Sequence, residues 1–376
     1  MLSLRDKLKA VGSAPKKAPV QRSESCYVRE TRVPLAQFSL PERLSGESLS
    51  LMQGKAIPSC AREEVCFLDT ETTGLSHGAG TVAFLVGVGF FDGNGFTVRQ
   101  YLMRDYDEEG YVLRAVEEHL RDRQVICSFN GATFDLPLLE SRFTMNRMNV
   151  KTLAKPHIDL LPTARRVWRL RLRGCRLGAL EEAVLGMERQ DDLPGALVPK
   201  RYFDFLKTKD MALLDDILRH NAQDVITLAH LLHKLLEAHE CPLLSPAPED
   251  IYSLGRVFEK RGKAEKARMC YRAADRGTMS ALSRTRLAES YRREGSGEEA
   301  ERVYLAMISA RQGGASPYIA LAKLCEHKKG DLNAAIEYTQ KAIRLSCDDP
   351  LADMKPLQKR LERLLEKARR KQNGIS

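Results

Sequence analysis

Val65-Cys66-Phe67-Leu68-Asp69-Thr70-Glu71-Thr72-Thr73-Gly74-Leu75 is the stretch on which the reading of this chain turns. Val65 to Leu68 is a short apolar run, which predicts a buried strand. Successive strand side chains point to opposite faces, so Asp69 and Glu71 project the same way. Thr72, Thr73 and Gly74 then turn the chain. Two carboxylates this close repel and push at least one pKa upward. A hard cation with oxygen ligands removes that conflict. A lone Asp-x-Glu at a strand end is more often a pair of solvated acids. The whole string from Asp69 to Leu75 is far rarer, and it favours chemistry.

Two more stretches place acids against apolar segments. Asp135 closes Ser128-Phe129-Asn130-Gly131-Ala132-Thr133-Phe134-Asp135, and Asp224 lies in His220-Asn221-Ala222-Gln223-Asp224-Val225. Charge at core-like positions costs free energy unless something compensates it. A pair of divalent cations would do so.

Together the three strings resemble the motifs of the DEDD exonucleases, which have an RNase H-like fold. The features between them are similar to the YprB-type branch: His157-Ile158-Asp159-Leu160, Arg-Leu-Gly-Ala-Leu-Glu at 176–181, and Val198-Pro199 with Arg201-Tyr202. The resemblance covers about residues 60 to 240. It implies that Asp69, Glu71, Asp135 and Asp224 hold two Mg²⁺ or Mn²⁺ ions. One ion would make the nucleophile from a bound water and the other would steady the leaving 3′ oxygen. The implied activity is 3′–5′ exonuclease cleavage of DNA or RNA, at single-stranded ends. A nucleic-acid-binding scaffold with a weak or inactive nuclease fold is one alternative, and a structure-specific endonuclease is another.

The third string departs from the family pattern. One branch carries Tyr four residues before the last acid, and another carries His five before it. Here His220 stands four before Asp224. Positions i and i+4 share a helix face, so His220 can point at the same site, where an imidazole could orient or deprotonate water. The other reading is a plain helix-surface histidine. Asn130 either holds its own turn or contacts the terminal sugar of a substrate. Phe134 supports a base or is core. Asp159 is a candidate outer acid, and His157 is either structural or functional. Arg165, Arg166, Arg169, Arg171, Arg173 and Arg176 surround Trp168. Arg169 and Arg173 are candidate phosphate contacts, with Trp168 stacking on a base; the alternative is a solvated helix face with a buried indole. Lys200, Arg201 and Tyr202 form a weaker candidate.

The chain has 376 residues, enough for two or three domains, and 43% of them are hydrophobic. A net charge of +10 favours polyanionic partners. Nine cysteines without a C-x-x-C pair read as scattered thiols of a reducing compartment. No apolar stretch approaches a membrane span, and the first residues lack a secretory apolar core. The expected location is therefore the cytoplasm, without a membrane partner.

The expected organisation is a basic arm over 1–28, an extension of uncertain structure over 29–60, and an α/β RNase H-like domain over 61–240. That domain should open with an antiparallel three-strand meander in a mixed sheet. The prolines of Cys241-Pro-Leu-Leu-Ser-Pro-Ala-Pro248 end a long helix and mark a linker over 241–249. Beyond it Leu254-Gly255, Phe258, Ala267 and Tyr271 recur 33 residues later as Leu287-Ala288, Tyr291, Ala300 and Tyr304. This resembles the tetratricopeptide repeat. It predicts an all-α helical-repeat domain over 250–376, with Leu357, Leu361 and Leu364 on a capping helix. Such stacks hold peptides, so a protein or peptide partner is a candidate. The basic residues of the last helix are candidates for extending a nucleic-acid surface.

Overall fold

The computed structural model describes residues 25–74, 80–189, 193–347 and 353–372. The arm expected over 1–28 lies, up to residue 24, outside the described residues. In chain order the elements begin with β1 (Tyr27–Pro34), β2 (Arg43–Leu44), α1 (Gly46–Gln53), β3 (Cys60–Ala61) and β4 (Val65–Thr72). Then come β5 (Ala83–Asp92), β6 (Gly95–Leu102), α2 (Glu109–Arg121), β7 (Val125–Ser128), α3 (Asp135–Met145) and β8 (His157–Asp159). Helices follow: α4 (Leu160–Trp168), α5 (Leu177–Leu180), α6 (Val198–Thr208) and the long α7 (Asp215–Glu240). The chain ends in α8 (Pro248–Lys260), α9 (Ala264–Ala273), α10 (Ser280–Glu294), α11 (Gly297–Ser309), α12 (Ser316–Leu324), α13 (Leu332–Ser346) and α14 (Lys355–Gln372).

Contacts divide the chain into two compact units. One comprises Met1–Phe38, Glu63–His157 and Gln190–Ile226; the other comprises Ser39–Arg62, Ile158–Arg189 and Thr227–Ser376. This division differs from the linear one at the proline-rich segment. The second half of α7 buries Leu228, Leu231, Leu232, Leu235 and Leu236, and the ring of its His239 lies 6.4 Å from that of Phe258 on α8.

In the first unit the six-stranded sheet has the order β1-β6-β5-β4-β7-β8. The expected meander is present: β4 pairs antiparallel with β5, and β5 with β6. Asp92 fixes the turn between β5 and β6, accepting from Asn94 N at 2.9 Å and Thr97 Oγ1 at 2.8 Å. β7 joins β4 in parallel. β1 pairs along its whole length with β6, so part of the uncertain 29–60 extension is the edge strand of the sheet. Its side chains alternate between half-buried and exposed, as an edge with one wet face should. Phe67, Phe91 and Phe96 pack with centroids 4.8–6.1 Å apart. Each such buried aromatic contributes about 1.5–3 kcal/mol. Elsewhere in the core Tyr202 stacks on Phe84 at 3.9 Å and 9° and donates to the Met103 carbonyl at 3.0 Å. Its neighbour Arg201 pairs with Asp216. Tyr202 is therefore no substrate contact: Val198, Tyr202 and Phe205 form the buried face of α6.

In the second unit α8/α9, α10/α11 and α12/α13 pack as successive helical pairs, and α14 closes on α13. Ala267, Ala288, Ala300, Ala322, Ala335 and Ala342 have no exposed surface, which lets the paired helices approach closely. Leu364 of α14 is fully buried. Glu326 accepts from Arg360 Nη2 at 2.7 Å and from Arg363. The Arg363 hydrogen bond is the main cause that brings its carboxyl down to about 2. Lys367 stands 3.7 Å from the same acid, so three of the cations expected to extend a nucleic-acid surface instead hold the cap. No described helix is long and apolar enough to cross a membrane.

Candidate active site

The first unit brings the four sequence-predicted acids to one place. Asp69 and Glu71 end β4, with a register shift after Glu71. Asp135 is the first residue of α3 and is 7% exposed. Asp224 lies on α7. The Asp69 carboxyl sits well above the ordinary carboxylate range. Burial is the main cause, followed by the charges of Asp224, Asp135 and Glu71. Asp135 is held in place by Thr70, whose hydroxyl donates to its Oδ1 at 2.6 Å. Among the described residues no three acidic, histidine or cysteine side chains form a ready ligating group. The donor set itself is all carboxylate oxygen, which suits hard divalent cations, and positive charge would relieve the mutual repulsion that lifts Asp69.

Sequence reasoning missed the clamp beneath Asp69. Asp69, Gly87 and Gln100 lie at one level across β4, β5 and β6. Asn221 of α7 lies over Gly87, where an added Cβ would strike its side-chain amide. Its Nδ2 donates to Asp69 Oδ2 at 2.8 Å. Its Oδ1 accepts from Gln100 Nε2 at 2.9 Å, and that nitrogen also donates to the Leu218 carbonyl at 2.8 Å. Asn221 has no exposed surface and Gln100 only 1%. The amide pair therefore orients one carboxylate oxygen and offsets part of its charge. A further glycine, Gly89, lies under Val225, one helical turn along from Asn221. Glycine within a strand marks such a close approach. Gly87→Ala is expected to lower kcat roughly tenfold, about 1.4 kcal/mol, with KM nearly unchanged. Asn221→Ala should do the same. In the Gly87→Ala/Asn221→Ala double variant the glycine change should cost nothing further, because its collision partner is gone. Additive losses would refute the clamp.

His220 sits beside the acids. Its Nε2 is 3.6 Å from Asp224 Oδ2 and 3.9 Å from Glu71 Oε1. Asn130 takes a left-handed backbone at φ +68. Thr133 Oγ1 donates to its side-chain oxygen at 3.0 Å and to its carbonyl at 3.1 Å, so Asn130 does hold its own turn. Phe134 caps α3 with 47% of its surface exposed; it is a surface aromatic rather than core. His157 is buried against Ser128, with Nε2 2.8 Å from Oγ.

The remaining candidates lie in the second unit. Asp159 caps α4 by accepting from Leu161 N at 3.1 Å, a structural role. Trp168 is 4% exposed and cannot serve as a stacking platform: with Leu161 and Ala164 it forms the inner face of α4. Arg169 and Arg173 are exposed.

Residues 66–236 match the RNase_H superfamily. All four acids, His220 and the Asn221 clamp fall inside that span. The chain thus carries an RNase H-like domain with a mixed sheet, followed by a helix-rich region. It is 29% identical over 338 residues to the uncharacterized protein YprB of Bacillus subtilis (strain 168), covering 85% of this chain and 81% of that one. Among solved structures it is similar to the family B DNA polymerase from the hyperthermophilic archaeon Pyrobaculum calidifontis. That match has 18% identity and a TM-score of 0.39, and it covers 55% of this chain and 28% of the polymerase.

Proposed function

We propose that this protein is a metal-dependent 3′–5′ exonuclease of the DEDD type, acting on single-stranded ends of nucleic acid. The observation that carries the reading is geometric: His220 Nε2 lies 3.6 Å from Asp224 Oδ2 and 3.9 Å from Glu71 Oε1, and Thr70, between Asp69 and Glu71 on β4, donates to Asp135 Oδ1 at 2.6 Å. A fold does not gather four carboxylates without a counter-charge except at a cost in stability. Asp69, Glu71, Asp135 and Asp224 would hold Mg²⁺ or Mn²⁺. Bound there, the ions would supply Lewis acidity for making hydroxide and for steadying the departing 3′ oxygen. Asn221 fixes the lone-pair direction of Asp69, and Thr70 that of Asp135. His220, within reach of Glu71 and Asp224, would orient the attacking water or take its proton. The exposed Phe134 lies one residue before Asp135 and is the candidate for contact with a terminal base. The paired helices of the second unit, similar in spacing to tetratricopeptide repeats, are the candidate partner-binding part.

The test is a 5′-labelled oligonucleotide, as DNA and as RNA, incubated with Mg²⁺, with Mn²⁺ or with EDTA. The expected result is a ladder shortening from the 3′ end that EDTA abolishes. Internal cuts would replace the exonuclease with an endonuclease. Binding without turnover, unchanged in Asp69→Ala, would leave a scaffold.

A further inference from the structure

Within the second unit, α4, α8 and α10 enclose an open groove of about 1040 Å³. Each of these helices, or the residue that caps it, gives the groove a pair of cations (Arg165 and Arg169, Arg256 and Lys260, Arg286 and Arg293), and α4 adds Arg166. The spacings are one turn, one turn and two turns, so each pair lies along one helix face. The lining includes one carboxylate, Glu259, already occupied by the Tyr271 hydroxyl at 2.7 Å and by Arg293. The whole chain balances 60 basic residues against 50 acidic ones, so this surface is far more basic than the average. Arg165, Arg169, Arg256 and Lys260 are exposed and have no carboxylate partner among the described residues. Like charges one helical turn apart repel. The arrangement is therefore unfavourable until an anion enters.

We infer that this groove binds the phosphate backbone of single-stranded nucleic acid. Six of the seven cations are arginines, whose planar forks match phosphate oxygens in pairs. Leu170 and Leu282 stand in the same lining, 49% and 47% exposed; they offer apolar contact to sugars and bases without hydrogen-bond readout. The aromatic in the lining, Tyr252, is 6% exposed and presents no stacking face. Recognition is thus by charge, indifferent to sequence and strongly dependent on salt. The choice of nucleic acid over an acidic peptide rests on the cleavage reading above, which makes the substrate a polyanion of phosphates.

The test is fluorescence anisotropy of a labelled 20-nucleotide oligothymidylate with full-length protein in EDTA, across a salt series. Arg256→Glu/Lys260→Glu should weaken binding roughly tenfold or more and flatten the slope of log affinity against log salt by about 1.4, the release of two phosphate contacts at about 0.7 each. Lys359→Glu/Lys371→Glu makes the same charge change on α14 and should leave the slope close to the wild-type value. Equal losses in both variants would mean that net charge alone acts, and would overturn the proposal. So would displacement of the oligonucleotide by polyglutamate at lower concentration than by unlabelled oligothymidylate, which would assign the groove to an acidic protein. The two readings fail separately. If the wild type cleaves nothing, anisotropy still decides the groove. If the groove variant still hydrolyses a trinucleotide at the wild-type rate while losing the 20-mer, both stand.

Discussion

Asp69→Asn is expected to abolish cleavage and to raise the melting temperature of the metal-free protein. The first half follows from the proposed function, in which Asp69 is one of the four acids that would hold the ions. Several kcal/mol of transition-state stabilisation would then depend on bound ions, and about 4 kcal/mol is a factor of roughly 10³ in rate. The second half follows from electrostatics alone. Burial, then Asp224, Asp135 and Glu71, raise the Asp69 carboxyl above its usual value of 3.8. A raised value means that the folded state holds this proton more tightly than the unfolded chain does. The associated stability is present in full below the unfolded value. It is lost as pH climbs from about 4 towards the folded value. Asparagine keeps an oxygen to accept from Asn221 Nδ2 and has nothing to ionise. Metal-free Asp69→Asn should therefore be more stable at pH 7, with a higher Tm, and its stability should vary less between pH 4 and 7. Mn²⁺ should raise the Tm of the wild type more than that of the variant. Thermal melts in EDTA and in Mn²⁺ across that range check this. A variant that melts below the wild type in EDTA would show that the acids do not repel one another as described.

The second large effect concerns His220. A positioned proton acceptor contributes roughly 10²–10⁴ in rate, so His220→Ala should lower kcat by about that factor while KM changes little. A histidine that only filled the helix surface would leave both unchanged. The separating measurement is the pH–rate profile. With imidazole present, activity should fall on the acid side as the ring takes up its proton, and His220→Tyr should remove that limb while recovering part of the rate. Full activity in His220→Ala with an unaltered profile would remove the residue from the mechanism.

The stretches that carry the acids were legible because each is short and local. Val65–Leu68 reads as a strand, and Asp69, Glu71 and Asp135 stand at or near the ends of elements, with Asp224 inside α7. The Asn221 clamp was not legible, because it joins residues 152 positions apart through a register that only the assembled sheet defines. Three signals were nonetheless present: a glycine inside the apolar run of β5, a glutamine inside β6, and an asparagine beside His220. Trp168 misled through its arginine neighbours. The spacing of Leu161, Ala164 and Trp168 gives one apolar helix face, and burial of that face outweighs the charges around it. The same holds for Val198, Tyr202 and Phe205. The proline-rich segment at 241–248 does end α7, yet compactness follows packing rather than punctuation.

The 26 residues of α7 hold His220 and Asp224 in their first half and a row of buried leucines in their second. One helix thus contributes residues to both units. A cut at Ile226, where the first unit ends, would keep every acid but sever the helix that carries Asp224. The last of the four acids thus stands two residues from the border of its unit, on a helix that continues past it.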